Sequence, residues 1–254
     1  MSLAWWNGRL VALGEVRIDP ADPGFLMGDG LFETLRVDGG RAVDVDAHLD
    51  RLLAALERIG IDLPEDRSDL SRAIESVAEA APRPVARMRI TITRQPTRII
   101  TAAPYTPPSG KLDAILLTEP WVDSRSPLAG LKSLSYQANR LALARAERAG
   151  AFEALLVNER GLLVEGSRSN VIVRLSGELV TPPLADGCLP GTVRRRLLEQ
   201  GLVKERSITP EELRGAGEIL LTNSLIGVLP VGRLDGVVPA VAPESSDDGR
   251  PQKN

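Results

Sequence analysis

Ala129-Gly-Leu-Lys-Ser-Leu-Ser-Tyr136 is the stretch on which the whole chain is read, because it sets a lysine among small and apolar residues. Lysine is scarce here. Only Lys111, Lys132, Lys204 and Lys253 stand among 31 basic residues, and arginine fills every other cationic position. Arginine stays charged, whereas a buried lysine shifts its pKa and can form Schiff bases. Lys132 therefore reads as a residue kept for its amine. The competing account is a lysine at the end of an element, its stem packed and its ammonium in water.

Upstream of this stretch the pattern is β followed by α. Asn7-Gly8 between apolar runs predicts a two-residue hairpin. Leu31 to Val37 and Ala42 to Val45 read as strands around the turn Asp38-Gly-Gly40. Leu49, Leu52, Leu53, Leu56 and Ile59 recur at helical spacing, which predicts a helix over 46–59 and another over 68–80. Val85 to Thr93 alternates as a strand, and Leu112 to Thr118 is a further one. Residues 1–120 thus read as a small α+β domain, with an interdomain linker at 121–131.

Downstream, 136–149 reads as an Ala, Leu and Arg-rich helix stopped by Gly150. Short strands follow at Glu153–Val157, Leu162–Glu165 and Asn170–Leu175, then a helix over 192–201 and a strand at Glu218–Thr222. Residues 132–241 form the larger unit. The tail, 242–254, is rich in Pro, Ser, Asp and Gly and reads as disordered.

Bulk properties narrow the chemistry. With 254 residues, 43% of them hydrophobic, the chain can bury a substantial core. A net charge of −3 gives no electrostatic reason to bind nucleic acid or an anionic membrane. No apolar run approaches the roughly 20 residues that span a bilayer, and the N-terminus lacks a signal-peptide pattern. The lone Cys188 rules out an internal disulfide framework and suits the cytoplasm. The lone His48 argues against a histidine-rich metal site or a Ser-His-Asp triad. Chemistry must come from lysine, carboxylates, arginine, hydroxyls or a cofactor.

Three features join Lys132. Glu165 ends a predicted strand in Val164-Glu-Gly-Ser-Arg-Ser-Asn170, as a carboxylate held for a cationic partner or as a solvated strand end. Gly191-Thr192-Val193 opens a helix, whose free N–H groups suit an anion, and Thr222-Asn-Ser224 offers further donors. Arg51 lies on an otherwise apolar helix, where it could clamp a phosphate or simply face solvent.

In their order along the chain these pieces resemble the fold-type IV pyridoxal phosphate (PLP) enzymes. That group holds branched-chain aminotransferases, D-amino acid aminotransferases and 4-amino-4-deoxychorismate lyases. The resemblance spans residues 5–236 and rests on Gly24-Phe-Leu-Met-Gly-Asp-Gly-Leu-Phe-Glu-Thr34, His48-Leu-Asp-Arg-Leu52, Lys132-Ser-Leu-Ser-Tyr136 and Glu165-Gly-Ser-Arg-Ser-Asn170. Pro190-Gly-Thr-Val-Arg194 and Leu221-Thr-Asn-Ser-Leu-Ile-Gly-Val-Leu-Pro-Val231 complete it. It implies a two-domain α/β (α+β) fold with a pseudo-barrel sheet in the larger domain, PLP as cofactor, an amino acid-like substrate and a homodimer.

By the same resemblance Lys132 would hold PLP as a Schiff base and act as proton-shuttling base, with Glu165 on the pyridine nitrogen. Arg51, the Thr192 and Val193 amides and Ser224 would hold the phosphate. Tyr136 would stand near the cofactor's 3-oxygen or, equally, pack on the core. Arg89, Arg94 and Arg168 are candidates for the substrate carboxylate, with Arg98 behind them. The parity of 89 and 94 differs, so a regular strand cannot aim both into one pocket. Subfamily marks, Glu165-Gly-Ser-Arg-Ser169 and Thr222 to Val231, imply the lyase that yields 4-aminobenzoate and pyruvate in folate biosynthesis. The alternative is an aminotransferase of branched-chain or D-amino acids, and a non-catalytic PLP-binding relative is the reading from another class. Thr93-Arg-Gln-Pro96 departs from the Thr-Arg-Gly of relatives, which changes the loop that follows.

Overall fold

The computed structural model describes residues 2–95 and 97–239. The expected disordered tail at 242–254 and the proline of Gln95-Pro96 lie outside the described residues. Strands β1 (Leu3–Trp6) and β2 (Arg9–Ala12) are joined by Asn7 and Gly8 at φ 47° and 89°. Positive φ at both central residues is the type I′ turn that Asn-Gly predicts. With β3 (Gly30–Asp38), β4 (Arg41–Ala42), β5 (Val85–Thr93) and β6 (Arg98–Pro104) they form an antiparallel sheet ordered β2-β1-β6-β5-β3-β4.

Helix α1 (Pro23–Met27) precedes β3, and α2 (Val45–Ile59) and α3 (Arg67–Glu79) cover one face of the sheet. Side-chain parity decides which face. In β3, Leu31, Leu35 and Val37 share a core with Leu49, Leu52 and Leu56 of α2 and Leu70 and Ile74 of α3. In β5, Ala86, Met88, Ile90 and Ile92 join the same core. The opposite parity, Phe32 and Thr34 on β3 with Arg89 and Thr91 on β5, therefore faces away from the helices. The register sets Phe32 across from Thr91 and Thr34 across from Arg89 on that second face.

The second sheet comprises β7 (Leu112–Val122), β8 (Glu153–Asn158), β9 (Leu163–Gly166), β10 (Asn170–Leu175), β11 (Glu178–Thr181), β12 (Lys204–Glu205), β13 (Glu218–Asn223) and β14 (Gly227–Leu234). Its order is β12-β11-β10-β13-β14-β7-β8-β9, with β7 parallel to both β8 and β14. Every residue of β8 is buried, because Leu155 and Val157 enter one core while Ala154 and Leu156 meet Ala142 and Ala146 of α4 (Gln137–Arg148). Helices α5 (Thr192–Glu199) and α6 (Pro210–Arg214) complete this unit.

One boundary differs from the sequence reading. Leu112–Thr118 was expected in the first unit, with the crossing at 121–131; instead β7 hydrogen-bonds within the second sheet, so the chain crosses at 105–111. The strands that claim β7 lie far downstream, where no local pattern reports them. Residues 131–135 nevertheless bind the units together. The Phe32 N–H donates to the Lys132 carbonyl at 2.9 Å, and the Leu134 N–H donates to the Gly30 carbonyl at 2.9 Å.

Candidate active site

That short ladder places Lys132 in the wall of a cavity of about 270 Å³ lined from both units. Arg51, Tyr136, Glu165, Arg168, Thr192, Val193 and Ser224 line the same cavity. Seven of the residues singled out in sequence thus join Lys132 around one space.

The Lys132 amine makes no hydrogen bond or ion pair among the described residues; its Nζ stands 4.6 Å from the centroid of the Phe32 ring. Burial pushes its pKa down to about 8, helped by the charges of Arg51 and Arg89 and opposed by Glu33 and Glu165. A lysine in this state is partly neutral near physiological pH. Lys132 stands half-buried in the cavity wall rather than at an exposed element end.

Glu165 is committed on one oxygen only. Its Oε2 accepts from the Leu189 N–H at 3.0 Å and from Asn170 Nδ2 at 3.1 Å, while Oε1 has no protein donor among the described residues. Burial raises its pKa to about 7 against the pull of the Leu189 N–H and of Lys132. A carboxylate with a spare oxygen in such a site gains from a cationic donor.

Glu165-Gly-Ser-Arg-Ser-Asn170 owes its composition to a residue the sequence did not flag, Glu153. This fully buried carboxylate accepts from Ser167 Oγ at 2.5 Å and Ser169 Oγ at 2.7 Å. A Cβ on Gly166 would stand 2.8 Å from the Glu153 carboxyl carbon, so only glycine fits. The Ser167 carbonyl then accepts from Tyr136 Oη at 2.6 Å. Tyr136 packs edge-on against Phe32 with centroids 5.2 Å apart, and burial raises its pKa. Its proton is spent on Ser167, so toward the cavity this hydroxyl is an acceptor.

The anion end is built from α2 and α5. Arg51 donates through Nε to Glu33 Oε1 at 2.7 Å, through Nη2 to Glu33 Oε2 at 2.7 Å and through Nη1 to the Pro190 carbonyl at 2.8 Å. Burial works against the Glu33 charge, yet Arg51 and His48 outweigh it and hold its pKa at about 2. Losing one partner of such a buried pair costs roughly 3–5 kcal/mol. The amides of Thr192 and Val193 open α5, where first-turn N–H groups lack intrahelical acceptors. The Ser224 hydroxyl donates to the Thr34 carbonyl at 2.6 Å, so Ser224 can offer an anion only its backbone N–H in this arrangement.

Gly191 joins the two ends. A Cβ there would lie 1.9 Å from Asn170 Oδ1, and Asn170 is held by Glu165 and by the Leu189 carbonyl at 2.9 Å. Gly191→Ala is therefore expected to displace Asn170, costing about 1–3 kcal/mol in denaturant unfolding and weakening cofactor affinity in equilibrium titration.

The arginine candidates part ways. Arg89 is half-buried, with its guanidinium carbon 3.9 Å from the Phe32 centroid and Nε donating to Thr91 Oγ1 at 3.2 Å. Burial lowers its pKa, and Arg87 adds to this. Arg168 is exposed at the cavity edge, its Nη2 donating to the Phe152 carbonyl at 2.6 Å. Arg94 stands elsewhere: it pairs with Asp29 at 2.6 Å and donates to the Gly60 and Ile59 carbonyls at the end of α2. Arg98 pairs with Glu65 at 2.8 Å, outside the cavity. Their acidic partners, Asp29 and Glu65, are remote in sequence, and no local pattern announces them.

The donor set suits PLP. A free amine, a carboxylate with one spare oxygen, and an arginine beside a helix N-terminus line one space, matching an aldehyde, a ring nitrogen and a phosphate. No group of three or more His, Cys, Asp or Glu residues placed to hold a metal occurs among the described residues.

Known proteins bear on this geometry. The family description "Amino-transferase class IV" matches residues 30–234. A D-alanine aminotransferase of Bacillus licheniformis is 31% identical, over 91% of this chain and 88% of that protein. The branched-chain aminotransferase of Thermoproteus uzoniensis superposes with a TM-score of 0.86 at 28% identity, covering 96% of this chain and 91% of that one. A Legionella pneumophila protein provisionally named a 4-amino-4-deoxychorismate lyase superposes with a TM-score of 0.82 at 26% identity, covering 92% of each chain.

Proposed function

This chain belongs to the class IV aminotransferase family, and from that premise we propose that it is a PLP-dependent aminotransferase of small D- or branched-chain amino acids. The observation that carries the reading is the unpaired amine of Lys132 set in the same cavity as the half-committed carboxylate of Glu165. When bound, PLP supplies a sink for the electrons left at the substrate Cα as its proton departs. Lys132 Nζ takes that proton and returns it, and a pKa of about 8 suits a base at neutral pH. Glu165 Oε1 would hold the ring-nitrogen proton, and Arg51 with the Thr192, Val193 and Ser224 amides would hold the phosphate. The Phe32 ring, itself packed against Tyr136, and the Leu31–Ser133 bridge fix Lys132 laterally.

Transamination is better supported than the lyase reaction expected from subfamily motifs. The relatives from Bacillus and Thermoproteus are named for amino-group transfer, whereas the lyase reading draws on the Legionella protein and the stretches 165–169 and 222–231. The lyase remains a second reading for one reason. Arg168 lines the cavity with Lys132, and Arg89, outside that lining, packs on the Phe32 ring that Lys132 also meets; a substrate with two carboxylates could use two such cations. Incubating the PLP-loaded protein with D-alanine or L-leucine and an α-keto acid should produce the new amino acid over many turnovers. Inert amino acids, with 4-aminobenzoate fluorescence from 4-amino-4-deoxychorismate, would reverse the choice. We further propose a cytoplasmic homodimer.

A further inference from the structure

Glu33 is a buried carboxylate with no assigned part in the chemistry. It sits on β3 at the parity of Leu31, Leu35 and Val37, facing α2 in the middle of an apolar layer. A charge in such a place persists only when it is paired. Its partners are the Arg51 fork and His48 Nδ1, 2.8 Å from Oε2. His48 is buried, and its Nε2 has no partner among the described residues. The Nδ1–H tautomer donates to Glu33 and leaves Nε2 a bare acceptor, so one proton of His48 serves Glu33 alone.

A guanidinium carries five N–H donors. Glu33 occupies one on Nε and one on Nη2, and the Pro190 carbonyl occupies one on Nη1. Two remain for an anion. The same contacts tie Arg51 to the residue before Gly191, where α5 begins, so the arginine and the helix amides are held in one frame.

We propose that Glu33, backed by His48, is a positioning residue that acts through Arg51 to set the grip of this chain on the phosphate of its cofactor. The inference rests on the function proposed above. Its test compares PLP with pyridoxal, which lacks the phosphate, by equilibrium titration of the full chain stripped of cofactor. The ratio of the two dissociation constants isolates the phosphate's contribution. Glu33→Gln is expected to shrink that ratio about tenfold, the size of one charge-assisted contact, with pyridoxal affinity nearly unchanged. Arg51→Lys should shrink it similarly, and the double variant should do no worse than either single one. His48→Asn, which keeps a donor toward Glu33, should retain more of the ratio than His48→Phe.

An unchanged ratio in Glu33→Gln, or an equal fall in both affinities, overturns the proposal. Additive effects of Glu33→Gln and Arg51→Lys overturn it too. Should Glu33→Gln fail to fold, the His48 pair carries the test, and equal ratios for Asn and Phe there overturn it. A wild-type chain that binds neither compound overturns the proposed function itself, whereas normal PLP binding with an unresponsive ratio overturns only the role of Glu33.

Discussion

Lys132→Arg is expected to abolish amino-group transfer, lowering kcat by at least roughly 10⁴-fold, since one side chain supplies both the covalent anchor and the base. Arginine keeps the positive charge and much of the length, but its guanidinium does not lose a proton in proteins. The variant should fold, because the Lys132 side chain makes no hydrogen bond or ion pair among the described residues. Its backbone carbonyl still accepts from Phe32. Single-turnover spectroscopy with PLP and D-alanine reads the loss. A related expectation concerns pH. Burial holds the Lys132 amine at about 8, well below its ordinary value of 10.5. Cofactor capture by the stripped chain should therefore rise as pH climbs through 8, following the neutral amine.

Glu165→Gln is expected to lower kcat about 10²–10³-fold, the range for removing one preorganised electrostatic contact. Glutamine can still accept from Asn170 and Leu189, so the loop should keep its shape. What it lacks is the second carboxylate oxygen, since an NH2 donor stands there and cannot accept from a proton-bearing ring nitrogen. The substitution also carries a stability signature. The raised pKa of Glu165, about 7 against an ordinary 4.5, lets the folded chain keep a proton that the unfolded chain has already released. Stability of the stripped chain therefore falls as pH rises from about 4.5 through 7. Glu165→Gln should flatten that fall, which thermal unfolding across this range checks. A variant with full kcat would leave Glu165 without its assigned part.

Much of this site is legible in the sequence for a physical reason. Lys132, Glu165, Arg51 and the Gly191-Thr192 helix start are each chemically conspicuous within a few residues, and the helix and strand periods of α2 and β5 are strong. What failed to show depends on distant partners. β7 belongs with β8 and β14, and Arg94 and Arg98 belong with Asp29 and Glu65. β6 escaped because its run of Arg98–Pro104 lacks alternation, and α1 spans too few residues for a period. Two signals were available. Thr209 and Glu212 form the capping box that starts α6. Glu33 stands at the parity of Leu31, Leu35 and Val37, which marks a carboxylate inside a core face.

The most direct measurement is borohydride reduction of the PLP-loaded protein, followed by proteolysis and mass mapping of the phosphopyridoxyl group. The account predicts the added mass on the peptide that contains Lys132 and on no other. Label on Lys111, Lys204 or Lys253 instead, or no label at all, would contradict it.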